Sequence, residues 1–101
     1  MAAPIIVVFR SRLLEGAEPL HEELMGPVAE AAARHKGIES YKSFEAIDGE
    51  RVTIVELRSD AALEAWATDP VHRAAKARAG EIYEWFRTDI TRRVEGLIAE
   101  G

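Results

Sequence analysis

The order of elements along this chain predicts an α+β domain: strand, helix, strand, strand, helix, and a closing strand in one four-stranded antiparallel sheet. Three observations carry the prediction. A β-branched run, Ile5-Ile6-Val7-Val8-Phe9, opens the chain. Asp48-Gly49 stands between two strand-like segments, a strong signal for a two-residue hairpin turn. Apolar residues at helical spacing fill the stretches on either side of that hairpin. The order matches the split βαβ, ferredoxin-like pattern, which requires a fourth strand.

Each element has its own signal. Ile5 to Arg12 reads as the first strand, with Phe9 on one face and Arg10 and Arg12 pointing away from it. Its first half is apolar on both faces, so cover on two sides is expected. Glu15-Gly16 turns the chain, and a helix follows from Pro19 to His35 with Leu20, Leu24, Val28 and Ala31 on one stripe. Gly26-Pro27 should kink it, and Lys36-Gly37 stops it. Ile38 to Ile47 and Glu50 to Arg58 form the hairpin strands. Ser59 or Asp60 caps a short helix carrying Leu63, Trp66 and Ala67.

After the Asp69-Pro70 break, a longer helix would align His72, Ala75, Ala79 and Tyr83. Thr68 and Asp69 are placed to accept hydrogen bonds from orphan amides, and Pro70 suits a first helical turn. The final segment fits two patterns. Ile90, Val94, Leu97 and Ile98 suit a helix; the same residues with Phe86 suit a strand ended by Gly96. The split βαβ order decides for the strand.

Composition excludes several chemistries. The 101 residues make a single domain, residues 1–101, with 48% hydrophobic content and a formal net charge of -5. That charge works against nucleic-acid binding, which wants a basic face. No cysteine is present, so disulfides and thiolate chemistry are absent. The apolar run at the start is too short to span a bilayer and lacks signal-peptide flanks. A cytoplasmic protein with no membrane partner is expected. The His21-Glu22-Glu23 stretch lacks the second histidine of a zinc helix, and no phosphate loop or nucleophile elbow occurs. No metal and no cofactor is therefore expected. Glu45, Glu50 and Glu56 read as a solvated strand face.

What remains is an aromatic and imidazole set: Phe9, Tyr41, Phe44, Trp66, His72, Tyr83, Trp85 and Phe86. Trp66 and His72 flank the Asp69-Pro70 break, which can fold one toward the other across a small-molecule pocket. A tryptophan offers a stacking face, and a histidine moves protons near neutral pH.

With these residues in place, the chain resembles the antibiotic biosynthesis monooxygenase family of dimeric α+β barrels. The likeness runs through Val7-Val8-Phe9-Arg10, Gly37-Ile38-Glu39-Ser40-Tyr41 and Lys42-Ser43-Phe44 before Asp48-Gly49. It continues in Thr53-Ile54-Val55-Glu56, Ala62-Leu63-Glu64-Ala65-Trp66 and Pro70-Val71-His72-Arg73-Ala74-Ala75. The resemblance implies a homodimer packed sheet to sheet, with a ligand pocket between the sheet and helices of each protomer. It implies cofactor-free oxidation of a phenolic, quinol- or anthrone-like substrate by O2. Under that reading His72 is the base, Trp66 the stacking wall and donor, and Arg10 or Arg87 the anion stabiliser. Phe9, Tyr41, Phe44 and Tyr83 would contact the substrate. Two other readings are a non-catalytic metabolite-binding module and a heme-degrading protein. The heme-degrading branch uses an asparagine on its first strand, and this chain contains none.

Overall fold

A computed structural model describes residues 4–93. Its elements run β1 (Ile5–Leu13), α1 (Glu18–Arg34), β2 (Ile38–Glu45), β3 (Arg51–Leu57), α2 (Asp60–Ala67), α3 (Pro70–Ala77), a 3-10 turn (Ala79–Glu81) and β4 (Tyr83–Arg92). The four strands form one sheet in the order β2-β3-β1-β4, with β1 antiparallel to both neighbours and β2 antiparallel to β3. This is the ferredoxin-like α+β fold expected from the sequence. Val94, Gly96, Leu97 and Ile98, invoked for the last element, lie outside the described residues.

The parity of β1 organises everything else. Side chains alternate across a strand, so Ile5, Val7, Phe9 and Ser11 share the face that the helices cover. Ile6, Val8, Arg10 and Arg12 share the opposite, open face. Near the first end of β1 the helix face is sealed: Ile5 is 1% exposed, and its neighbour in register, Leu57, is 0% exposed. Val28, Ala31 and Ala32 of α1 and Ala62 and Trp66 of α2 close over them. A second cluster, Ala17, Ile82 and Tyr83, anchors the far end of α1 to the start of β4. The open face of β1 has no cover among the described residues, where the sequence suggested two covered sides.

Three local expectations are corrected. The hairpin loop has three residues, not two. Ala46 and Glu50 pair through Ala46 N–H to Glu50 C=O (2.8 Å), and Gly49 N–H reaches back to Ala46 C=O (2.9 Å). Gly49 sits at φ +90°, so Ile47-Asp48 form the turn and glycine the left-handed bulge that rejoins the strands. The strands accordingly end at Glu45 and begin at Arg51, short of the expected Ile47 and Glu50. The helix holding His72 stops at Ala77, and Tyr83 opens β4, because the Ala79-Gly80-Glu81 turn breaks the periodicity. The helix α1 continues through Gly26 and Pro27. Thr68 does not cap α3: its hydroxyl donates back to the Glu64 carbonyl (2.9 Å), which closes α2. Among the described residues, no helix is long and apolar enough to cross a membrane.

Candidate functional site

Between the helix face of the sheet and α1, α2 and α3 lies a cavity of about 490 Å³. Its wall at the α2–α3 junction is set by caps. Asp69 Oδ1 accepts from Val71 N–H (2.9 Å) and His72 N–H (3.2 Å), and Pro70 occupies the first turn where no amide hydrogen is needed. The sharp reversal brings His72 flat against Trp66, with ring centroids 4.4 Å apart and planes 14° from parallel. Trp66 is 5% exposed, and Tyr41 and His35 meet it edge-on.

The hydrogen bonding of His72 fixes its tautomer. Nδ1 lies 3.1 Å from the Trp66 carbonyl oxygen. A carbonyl only accepts, so the neutral ring carries its proton on Nδ1 and keeps the Nε2 lone pair free of the backbone. Burial is the main influence holding His72 below its ordinary pKa of 6.5, with Lys76 acting the same way. The Trp66 carbonyl and Asp69 oppose it. The imidazole is thus neutral at pH 7.

The strand register lays the cavity floor in three rows. One row holds Tyr41, Val55, Val7 and Ile90; the next, Ser43, Thr53, Phe9 and Thr88; the third, Glu45, Arg51, Ser11 and Phe86. Rows follow each other at about 7 Å, two residues of strand rise. Phe9, Tyr83 and Phe86 pack on one another with centroids 5.5 to 5.9 Å apart. Burial pushes the Tyr83 hydroxyl up to about 12 and raises Tyr41 as well. Both phenols therefore remain neutral donors.

Of the residues singled out from sequence, Trp66, His72, Phe9, Tyr41, Tyr83 and Phe86 face this cavity. Phe44 touches its edge, but alternation turns the ring to the open face, where it is 54% exposed. Arg10 and Arg87 are not in the cavity. They pair with each other's position across β1 and β4 on the open face. There Arg10 forks onto Glu50 at 3.0 and 2.8 Å, and Arg87 contacts Asp89 at 3.2 Å. Glu45, Glu50 and Glu56 each hold an arginine rather than one another.

Among the cavity residues that escaped the sequence reading are Arg51 and His21. Arg51 lies on the helix face of β3, and His21 of α1 meets Tyr83 edge-on at 6.0 Å. Burial, then the Arg51 charge, lowers the His21 pKa. A signal for both was present. Val55 and Leu57 fix the inward parity of β3, which carries Arg51 inward, and His21, Met25 and Val28 fall at helical spacing.

In sequence, no family model and no curated protein matches the chain. Solved structures do match in fold. Rv0793 from Mycobacterium tuberculosis superposes with a TM-score of 0.86 at 21% identity, over 95% of this chain and 100% of its own. SnoaB from Streptomyces nogalater, a cofactor-independent oxygenase, gives 0.78 at 16% identity, over 95% and 98%. A Bacteroides thetaiotaomicron protein described as a possible oxidoreductase gives 0.80 at 13% identity, over 92% and 100%. The chain therefore has the α+β fold of a cofactor-independent oxygenase, the fold that its resemblance to the antibiotic biosynthesis monooxygenases implied.

Proposed function

We propose that this chain is a cytoplasmic, cofactor-independent monooxygenase that oxidises a small phenolic, quinol- or anthrone-like molecule with O2, as a homodimer. One observation carries the reading: a neutral histidine stacked on a tryptophan, its Nδ1 committed to a carbonyl, in the wall of an aromatic-lined cavity. The fold shared with SnoaB supports it.

The chemistry follows from spin. Triplet O2 reacts slowly with closed-shell organics, but a carbanion or phenolate can give it one electron. His72 Nε2 takes the proton from the activated carbon or hydroxyl of the substrate, and the bound anion passes an electron to O2. The resulting radical and superoxide combine into a peroxide, which is protonated by the imidazolium. Loss of water from the hydroperoxide leaves the new carbonyl, so one oxygen atom enters product and one leaves as water. Trp66 supplies a flat wall for the rings. Tyr41 and Tyr83, kept neutral by burial, are donors for the developing oxyanion.

Oxygen uptake with an anthrone, in the presence of a chelator and without added cofactor, tests the reading. Loss of the general base in His72→Ala should lower the rate by about 100-fold or more. Trp66→Phe keeps a ring and should raise KM more than it lowers kcat. An anthrone rate unchanged in His72→Ala removes His72 from the reaction. Binding without any oxygen uptake makes the chain a metabolite-binding module.

A further inference from the structure

The cavity floor is chemically graded. The row beneath Trp66 and His72 is Tyr41, Val55, Val7 and Ile90, whereas the row nearest the hairpin is Glu45, Arg51, Ser11 and Phe86. We propose that the Arg51 end is an anion subsite, and that the ligand is a flat apolar molecule bearing a carboxylate, its rings toward Trp66 and its carboxylate on Arg51 and Ser11. The proposal rests on the reading of this cavity as an aromatic-binding pocket.

Arg51 uses less of its fork than Arg10 or Arg78. Arg10 and Arg78 each meet a glutamate through two aligned hydrogen bonds, at 2.8 to 3.0 Å. Arg51 has one 3.2 Å contact, to a Glu45 oxygen, and no aligned side-chain hydrogen bond among the described residues. A guanidinium carries five donors in a plane that matches a carboxylate two at a time. Most of that capacity is open on the cavity side.

Beside it in register, Ser11 is 2% exposed. Ser11 lines the cavity next to Arg51, and its hydroxyl is a donor suited to a ligand oxygen. Lys76 adds a second cation to the cavity lining, and the Arg51 charge reaches His21, where it adds to the lowering by burial, and Tyr83, where it opposes the rise that burial causes. Glu45 is the opposing charge. Its side chain is 59% exposed and can swing into solvent when a ligand takes its place.

Calorimetric titration with 2-naphthoate, 2-naphthamide and 2-naphthol at pH 7 tests this, since the three share one ring system and only the first is charged. The naphthoate should bind roughly tenfold tighter than the amide or the naphthol. That preference should vanish in Arg51→Gln while the amide affinity stays, which also reports that the variant is folded. Arg51→Lys should keep part of it. Glu45→Gln, which frees the guanidinium, should enlarge it, a result no purely structural role of Arg51 produces. Arg58→Gln removes the same charge outside the cavity and should change nothing. Equal affinities for naphthoate and amide overturn the subsite alone, as does a preference that survives Arg51→Gln. Failure of all three probes to bind folded protein overturns the aromatic pocket together with the subsite.

Discussion

Two histidines, His72 and His21, face one cavity, and burial is the leading cause that lowers both. The unfolded chain binds their protons near 6.5, whereas the folded chain binds them only at lower pH. Stability contributed by the neutral rings is thus fully present above about pH 6.5 and is lost as pH falls through the folded values. Urea midpoints should be level from pH 8 to 7 and should drop as pH falls below 6.5. The carboxylates held low by arginines, such as Glu50, respond only below the ordinary 4.5 and so stay out of this window. His72→Gln should flatten the drop; an unchanged slope would place the titration elsewhere. The sequence revealed His72 through its neighbours Trp66, Asp69 and Pro70, whose cap chemistry is local. It did not reveal Arg51 or name the wrong arginines as wrong, because a strand residue's face depends on parity, and parity on which neighbours are buried. Arg10 and Arg51 look alike in sequence; one residue of register separates solvent face from cavity.

At the scale of elements, α2 and the turn before β2 approach closely. A Cβ at Gly37 would lie 2.4 Å from Ala62 Cβ and 3.2 Å from its Cα. Gly37 is also held by its own backbone, its N–H donating to His35 Nδ1 (3.1 Å) and its C=O accepting from Arg58 N–H (2.9 Å). Neither side can retreat cheaply, so Gly37→Ala should destabilise the fold by about 1–3 kcal/mol in urea titrations. Adding Ala62→Gly removes the opposing methyl and should return part of that loss, although glycine inside a helix costs about 1 kcal/mol. A double variant no better than the single would mean that the strain lies elsewhere. Element order and type were legible because Ser59, Asp69, Pro70 and Gly37 punctuate the chain with local chemistry. The misplaced boundaries were those that local chemistry leaves open. Asp48-Gly49 suits a two-residue or a three-residue loop, and only cross-strand pairing of Ala46 with Glu50 selects the latter. Likewise Tyr83 continues the helical spacing of His72, Ala75 and Ala79, and it becomes a strand residue by pairing with Leu13.

At the scale of the whole molecule, the two faces of the sheet are unequal. Helices cover the face that carries Ile5 and Val7, while Ile6, Val8, Val52 and Ile54 lie half-buried at most on the face with no helix. Trp85 and Phe44 flank that strip at 37% and 54% exposed. Arg10–Glu50 and Arg12–Asp48 ion pairs rim it at the hairpin end. An apolar strip bordered by paired charges is the anatomy of a surface covered by another protein surface. A second copy of the chain, sheet against sheet, is the occupant proposed above, and an obligate interface of that kind buries on the order of 2,000 Å² or more. The chain should therefore sediment at twice its 11.2 kDa at micromolar concentration. Ile54→Asp separates the dimer from the fold. The side chain points away from the sealed Ile5–Leu57 core, so a lone chain can solvate the aspartate at little expense, whereas two such carboxylates facing across a dry interface would repel and lose their hydration. The variant should sediment as a monomer that keeps the far-ultraviolet dichroism of the wild type. A wild-type monomer, or an Ile54→Asp dimer of unchanged affinity, would show that this face is not where two copies meet.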